Sequence, residues 1–322
     1  MTTTSEPELR SSRPGGAPAG MGPGGGAPAT TQHVSCEIRP LAAALGAEVT
    51  GLPLAGAGRA EVDTVLALLL RHRVLFFPGQ HLTLDQHVAL AEQLGPLEAH
   101  PNLRNAGLDH PSVFELAASA GGIADEWHTD LTFLPSPSVM SVLNMIRCPE
   151  VGGDTMWTNL ELAYEELSAP MRDLCDGLTA LHDASPHNRP EKTAIHPVVR
   201  IHPVTGRRAL YVNEHFTRRI VELSAPESDA LLGFLTGWVA QPRFTVRYRW
   251  TEGTIAIWDN RCTQHFVVND FSGERIIQRA TVMGDRPEGL PPRWEPFTST
   301  RGGAATRHDR QLRQALRGAD QS

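Results

Sequence analysis

Apolar and polar residues are patterned through the middle of the chain and unpatterned at both ends. Residues 61–73 carry Val62, Val65, Leu66 and Leu69 at helical spacing, which predicts one apolar helix face. Residues 85–94 repeat that spacing behind Thr83, whose hydroxyl suits a helix start. Ser224 and Glu227 form the S-x-x-E box that opens a third helix running to Val239. Shorter helices fit residues 160–167 and 171–178. Strand patterns cover residues 74–77, 113–116, 139–145, 209–212, 244–249, 254–258 and 276–283. Residues 244–249 alternate strictly, as a half-buried antiparallel strand does. Many short strands in the second half, with helices concentrated elsewhere, predict an α+β, mainly β protein: an antiparallel sandwich or barrel with packed helices.

The ends read differently. Residues 1–32 are mostly Gly, Pro, Ala, Ser and Thr, with too little apolar surface to offset backbone entropy, so a disordered tail is expected. Within residues 300–322, the stretch 307–317 has the composition of a short basic helix, but its charges favour solvated chain. One domain over residues 33–299 is the simplest division.

Composition narrows the function. With 40% hydrophobic and 20% charged residues, the 322-residue chain can build a sizeable core. A net charge of −7 argues against a general nucleic-acid or anionic-membrane binder. The four cysteines include no CxxC pair, which speaks against a disulfide scaffold or a cysteine zinc site. The first residues lack the charged-then-apolar pattern of a secretory leader, and the aliphatic run at 65–70 is too short to cross a bilayer. A reducing, cytoplasmic setting is expected.

Of 14 histidines, only His128 stands in an H-x-D run, Trp127-His-Thr-Asp130. In extended chain, residues i and i+2 point to one side, so His128 and Asp130 can offer a nitrogen and a carboxylate oxygen to one ion. One more ligand would complete the two-nitrogen, one-carboxylate face that suits Fe(II). Alone, the run fits a surface His–Asp pair equally well. Further along, residues 255–265 (I-A-I-W-D-N-R-C-T-Q-H) read as a buried strand entering a turn and ending on His265. Arg275 follows ten residues later and Arg279 fourteen.

These stretches, with 127–133 (W-H-T-D-L-T-F), 152–159 (G-G-D-T-M-W-T-N), 196–203 (H-P-V-V-R-I-H-P) and 211–220 (Y-V-N-E-H-F-T-R-R-I), resemble the taurine dioxygenase family of Fe(II)/2-oxoglutarate-dependent dioxygenases. The resemblance spans about residues 33–287. It implies a double-stranded β-helix, the cupin-like jelly roll, with His128, Asp130 and His265 as iron ligands. It also implies that Arg275 and Thr155 hold the distal carboxylate of 2-oxoglutarate, which a planar guanidinium can pair bidentately. The implied reaction consumes O₂, hydroxylates a substrate C–H and yields succinate and CO₂. Related halogenases lack the carboxylate at the Asp130 position, so hydroxylation is implied here. A hydroxyl placed on a carbon bearing a leaving group would release sulfite or sulfate.

Arg279 and His100 match family positions that meet the substrate's anionic head, and Phe216 matches an aromatic wall. Arg279 as a structural ion pair and Phe216 as core remain open alternatives. The chain departs from the taurine enzymes at Leu103 and Ala124, where polar partners are missing, and in a short lid over 182–196. These departures favour a larger or more apolar substrate: an alkyl sulfonate, alkyl sulfate ester or aryloxy acid, with a carboxylate, phosphonate or natural-product intermediate as the alternative. His187, in the lid, reads as an exposed histidine, and Cys262 as a buried free thiol. Trp127 and Trp258 read as packing residues, and Asp259 and Asn260 as turn formers. The family resemblance implies a homo-oligomer. A metal-dependent hydrolase with the same ligands would need neither Arg275 nor Thr155, and a non-catalytic jelly-roll binder would not need the intact triad.

Overall fold

The run Val-Leu-Phe-Phe at residues 74–77 is buried on both faces and lies inside the largest sheet of the computed structural model, which describes residues 35–98, 110–118, 124–298 and 307–319. The first half contains β1 (Glu37–Pro40), β2 (Ala47–Thr50), α1 (Arg59–His72), β3 (Val74–Phe77), α2 (Leu84–Leu94), β4 (Val113–Ala117), β5 (Ser138–Arg147) and β6 (Thr155–Asn159). Then come α3 (Leu160–Glu165), α4 (Ala169–Cys175), β7 (Thr179–Ala184), β8 (Arg189–Pro197), β9 (Val199–Ile201), β10 (Arg208–Leu210) and β11 (Thr217–Ile220). The chain continues through α5 (Ala225–Val239), β12 (Thr245–Tyr248), β13 (Ile255–Asp259), β14 (Thr263–Val267), β15 (Ile276–Met283) and α6 (Arg307–Ala319).

A seven-stranded sheet in the order β1-β2-β3-β13-β5-β15-β4 forms one layer; only its β2–β3 pair is parallel. Smaller sheets, β12-β6-β14, β11-β7-β8 and β10-β9, form the remainder. The period of two sorts the side chains. Leu75, Phe77, Ile255 and Ile257 meet Val65 and Leu69 of α1 and Val88 and Leu90 of α2 on one face. Val74, Phe76, Ala256 and Trp258 meet Trp157, Tyr248 and Trp250 on the other. A third core packs α3, α4 and α5 against β9, β10 and β11. This is the jelly-roll fold with packed helices.

The helix starts obey their local chemistry. Gln86 N–H donates to Thr83 Oγ1 at 3.3 Å, and Ser224 N–H donates to the Glu227 carboxylate at 3.0 Å. The expected solvated tail needs a correction: residues 307–319 form α6, and Leu312 on it is 4% exposed. Its arginines had masked an apolar stripe, Leu312, Ala315 and Leu316, that docks on Leu181, Ile195 and Val221. Among the described residues no helix is long and apolar enough to cross a membrane. Residues 1–32 and His100 lie outside the described residues.

Candidate active site

A single antiparallel bridge joins His128 to His265 of β14. His128 N–H donates to His265 O at 3.1 Å, and His265 N–H to His128 O at 2.9 Å. Directly opposed residues project to one side, and the two imidazole centroids are 4.0 Å apart. Beyond the bridge the chain turns, with Leu131 at φ 59°. The H-x-D run is thus one bridge entering a turn rather than a regular strand. Asp130 still reaches the same side, its Oδ1 standing 3.9 Å from Nε2 of each histidine. The three donor atoms lie within 4.8 Å of one another, and all three residues are buried.

The protonation states suit a cation. His128 Nδ1 faces the Glu126 carbonyl at 2.8 Å; a carbonyl only accepts, so Nδ1 carries the hydrogen and Nε2 offers its lone pair. Burial lowers the His128 pKa to about 4 and pushes that of His265 well below the usual histidine value, so both rings are neutral. Burial alone would raise the Asp130 pKa. The neighbouring Arg279 and both imidazoles, with a hydrogen bond from Ser141, instead hold it below the usual carboxylate range. Two neutral nitrogens and one ionised oxygen, shielded from water, match the donor set that selects divalent iron over calcium or magnesium.

Around these donors, Ser141 Oγ donates to Asp130 Oδ2 at 2.8 Å. Asn260 Nδ2 stands 3.0 Å from the hydroxyls of Ser138 and Ser141, while its Oδ1 accepts from Trp258 Nε1 at 2.9 Å. Asn260 therefore braces the carboxylate rather than merely forming a turn. Sequence reasoning missed Ser138 and Ser141; the available signal was two hydroxyls inside an otherwise apolar strand. Trp258 also packs its ring 4.9 Å from that of His265.

Arg275, on the approach to β15, is 4% exposed. Its Nε donates to Gly153 O at 3.0 Å and its Nη2 to Thr155 Oγ1 at 3.2 Å. Among the described residues no carboxylate lies within ion-pair distance of it, and burial lowers its pKa to about 10. The approach depends on glycine. At Gly153, φ is 69°, and a Cβ would come within 3.3 Å of the Arg275 side chain.

Arg279 pairs with the triad itself: its Nη1 donates to Asp130 Oδ1 at 2.7 Å. Its Nε is buried without a partner among the described residues. Phe216 is buried and stands 6.4 Å from the His128 ring, in contact with Phe133 at 5.2 Å. Leu131, Phe133, Ala184 and Phe216 form a small apolar cluster beside the donors. His187 is exposed, as its place in the lid predicts, and its ring sits 5.4 Å from both Phe133 and Phe216. His215, which the sequence did not single out, lies 5.5 Å from the His128 ring and pairs with Glu126 at 2.6 Å.

A second buried group, His202, Asp259 and Cys262, also has donor atoms close together. Its atoms are already committed. His202 Nδ1 accepts from Val204 N–H and Thr205 N–H, its Nε2 faces Asp259 Oδ2 at 3.0 Å, and Arg261 clamps the same carboxylate. Burial raises the Cys262 pKa well above the usual thiol value, in keeping with an inert buried thiol.

Residues 37–281 match the family described as taurine catabolism dioxygenase TauD, TfdA family. An alpha-ketoglutarate-dependent sulfate ester dioxygenase of Pseudomonas putida is 37% identical over 81% of this chain and 94% of its own length. An alkylsulfatase of Acinetobacter baylyi is 36% identical over 79% of this chain and 86% of its own. A putative alpha-ketoglutarate-dependent taurine dioxygenase from Burkholderia xenovorans superposes with a TM-score of 0.74 at 39% identity, covering 84% of this chain and 99% of that one. AAD-2, solved with Mn(II) and N-oxalylglycine, superposes with a TM-score of 0.69 at 27% identity, covering 79% and 99%. The chain belongs to the TauD/TfdA family and is an Fe(II)- and 2-oxoglutarate-dependent dioxygenase.

Proposed function

We propose that the enzyme hydroxylates an alkyl sulfate ester at the carbon bearing the ester oxygen. The carrying observation is the pairing of cationic and apolar surfaces around one donor triad. Arg275 is buried without a carboxylate partner among the described residues, and Arg279 keeps a buried Nε beyond its bond to Asp130. Leu131, Phe133 and Phe216 supply an apolar wall beside His128. One cation suits the dianionic keto acid, the other a sulfate head, and the wall suits an alkyl tail. The relatives named for sulfate ester and alkyl sulfate chemistry support this choice.

Each residue then has a task. His128, Asp130 and His265 hold Fe(II), which supplies the oxidising chemistry with O₂ and 2-oxoglutarate. Arg275 and Thr155 grip the distal carboxylate of the keto acid. Arg279 and His100 each bind the substrate head, and Phe216 packs the tail and keeps water from the reacting carbon. The hydroxylated product carries hydroxyl and sulfate on one carbon. Its C–O bond to sulfate breaks as the hydroxyl proton leaves, giving an aldehyde and hydrogen sulfate. A homo-oligomeric assembly belongs to the same proposal and is read by sedimentation velocity.

The test is substrate-stimulated succinate release across hexyl sulfate, hexanesulfonate, taurine and phenoxyacetate. Hexyl sulfate should stimulate most, with sulfate and aldehyde released in equal amounts and only when O₂ is present. Faster turnover of phenoxyacetate or taurine would replace the proposed substrate class. Sulfate release without O₂ would make the protein a hydrolase.

A further inference from the structure

Helix α6 begins 26 residues past the family match and touches the donor triad nowhere in the described contacts, yet it is anchored to the pocket's walls. Gln311 Nε2 donates to Asp183 Oδ2 at 3.2 Å and to Pro190 O at 2.7 Å, so one side chain grips both strands of the β7–β8 hairpin. Beside it Leu312 is buried against Leu181 and Val221. The hairpin tip, Ser185–His187, is a single turn of 3-10 helix.

Asp183 connects this anchor to the pocket. Its side chain is fully buried. Besides Gln311 it accepts from Ser185 N–H at 3.0 Å, Ser185 Oγ at 2.7 Å and Arg218 Nε at 2.8 Å. Ser185 opens the turn that carries His187. Arg218 continues to the His215 carbonyl at 2.5 Å, and Asp183 N–H donates to the Phe216 carbonyl at 2.9 Å. One buried carboxylate thus fixes two backbone segments; of the rings they carry, His215 and Phe216 stand beside the His128 ring, and His187 packs against both of them. Arg275 and Thr155 lie on other elements, where Arg275 bonds Gly153 O and Thr155 Oγ1.

We propose that α6 is a latch: through Gln311 and Asp183 it positions the His187–His215–Phe216 wall, and so sets affinity for the organic substrate without setting affinity for 2-oxoglutarate. This deepens the alkyl sulfate reading and rests on it for the identity of the substrate. Gln311 and Leu312 are positioning residues, since neither touches substrate.

The experiment uses the full chain with Fe(II), comparing Gln311→Ala, Leu312→Asp and Leu312→Met with the exposed-face control Gln314→Ala. Two readouts are taken: deuterium uptake over residues 182–197 and 213–218, and KM for hexyl sulfate against KM for 2-oxoglutarate. Gln311→Ala should speed exchange in both segments and raise KM for hexyl sulfate about tenfold, what losing one or two ordinary hydrogen bonds is worth. KM for 2-oxoglutarate should stay within about twofold by the same conversion. Leu312→Asp should exceed that effect, while Leu312→Met and the control should behave as wild type. Unchanged exchange, or faster exchange with both KM values unmoved or raised together, overturns the latch. A wild type inactive on hexyl sulfate sinks the substrate reading instead, and the exchange data still decide the latch.

Discussion

At the scale of single residues, Arg275 carries the most information. Burying a guanidinium with no carboxylate partner is unfavourable, and among the described residues only Gly153 O and Thr155 Oγ1 answer it. A dianion beside it would complete the set. Arg275→Ala should therefore raise KM for 2-oxoglutarate about a hundredfold, equivalent to about 2–3 kcal/mol of lost buried pairing. Arg275→Lys should recover little of this, because an ammonium cannot form the two parallel bonds. Both are read from initial rates at varied 2-oxoglutarate, and a KM within about threefold of wild type would remove Arg275 from the role. Arg279 shows the opposite lesson. The sequence left it between substrate ligand and structural ion pair, and the structure gives it a firm bond to Asp130 while leaving Nε without a partner among the described residues.

At the scale of elements, legibility followed local chemistry. The strands β3 and β15 were legible to the residue because their apolar runs are bounded by polar or turn-forming chain. The helices α1, α2 and α5 announced themselves by periodicity and, for α2, by the Thr83 helix start and, for α5, by the Ser224–Glu227 capping box. The strands β7 and β8 were not legible. Their buried positions include His182, Asp183 and His196, polar side chains whose partners Thr132 and Arg218 lie far along the chain, which no local pattern reveals. For the same reason, Ser141 and Asn260 stayed hidden as braces of Asp130 while the triad did not: a ligand motif is a local string, and its support is a tertiary arrangement. The helix α6 was hidden by its arginines, which dominate composition although three apolar residues decide where it docks.

At the scale of the whole molecule, the net charge of −7 said nothing of a pocket holding two arginines. A better guide to the folded state's behaviour is its buried histidines. Burial lowers the pKa of His87 and of His196 from 6.5 to about 4. Between those values the unfolded chain binds the extra protons, so stability must fall as pH drops from 6.5 toward 4, by up to about 1.4 kcal/mol per pH unit for each histidine. Glu98, whose pKa burial raises to about 7, works in the opposite direction over 4.5 to 7, as do Glu161 and Glu222, while the buried His128, His182 and His265 add to the histidine side. Denaturant unfolding at pH 7 and pH 5 should show the loss. His87→Gln, which keeps a donor for the Val142 carbonyl, should flatten it by up to about one proton's slope. A stability that rises on acidification would contradict the neutral, buried state of these rings.

The most direct measurement of the central claim is an anaerobic absorption titration of the protein with Fe(II) and 2-oxoglutarate. A weak visible charge-transfer band should appear only when both are present, saturate at one iron per chain, and shift on adding hexyl sulfate. His265→Ala should abolish it through lost iron. No band in the wild type, or a full band in His265→Ala, would contradict a dioxygenase centre built on His128, Asp130 and His265.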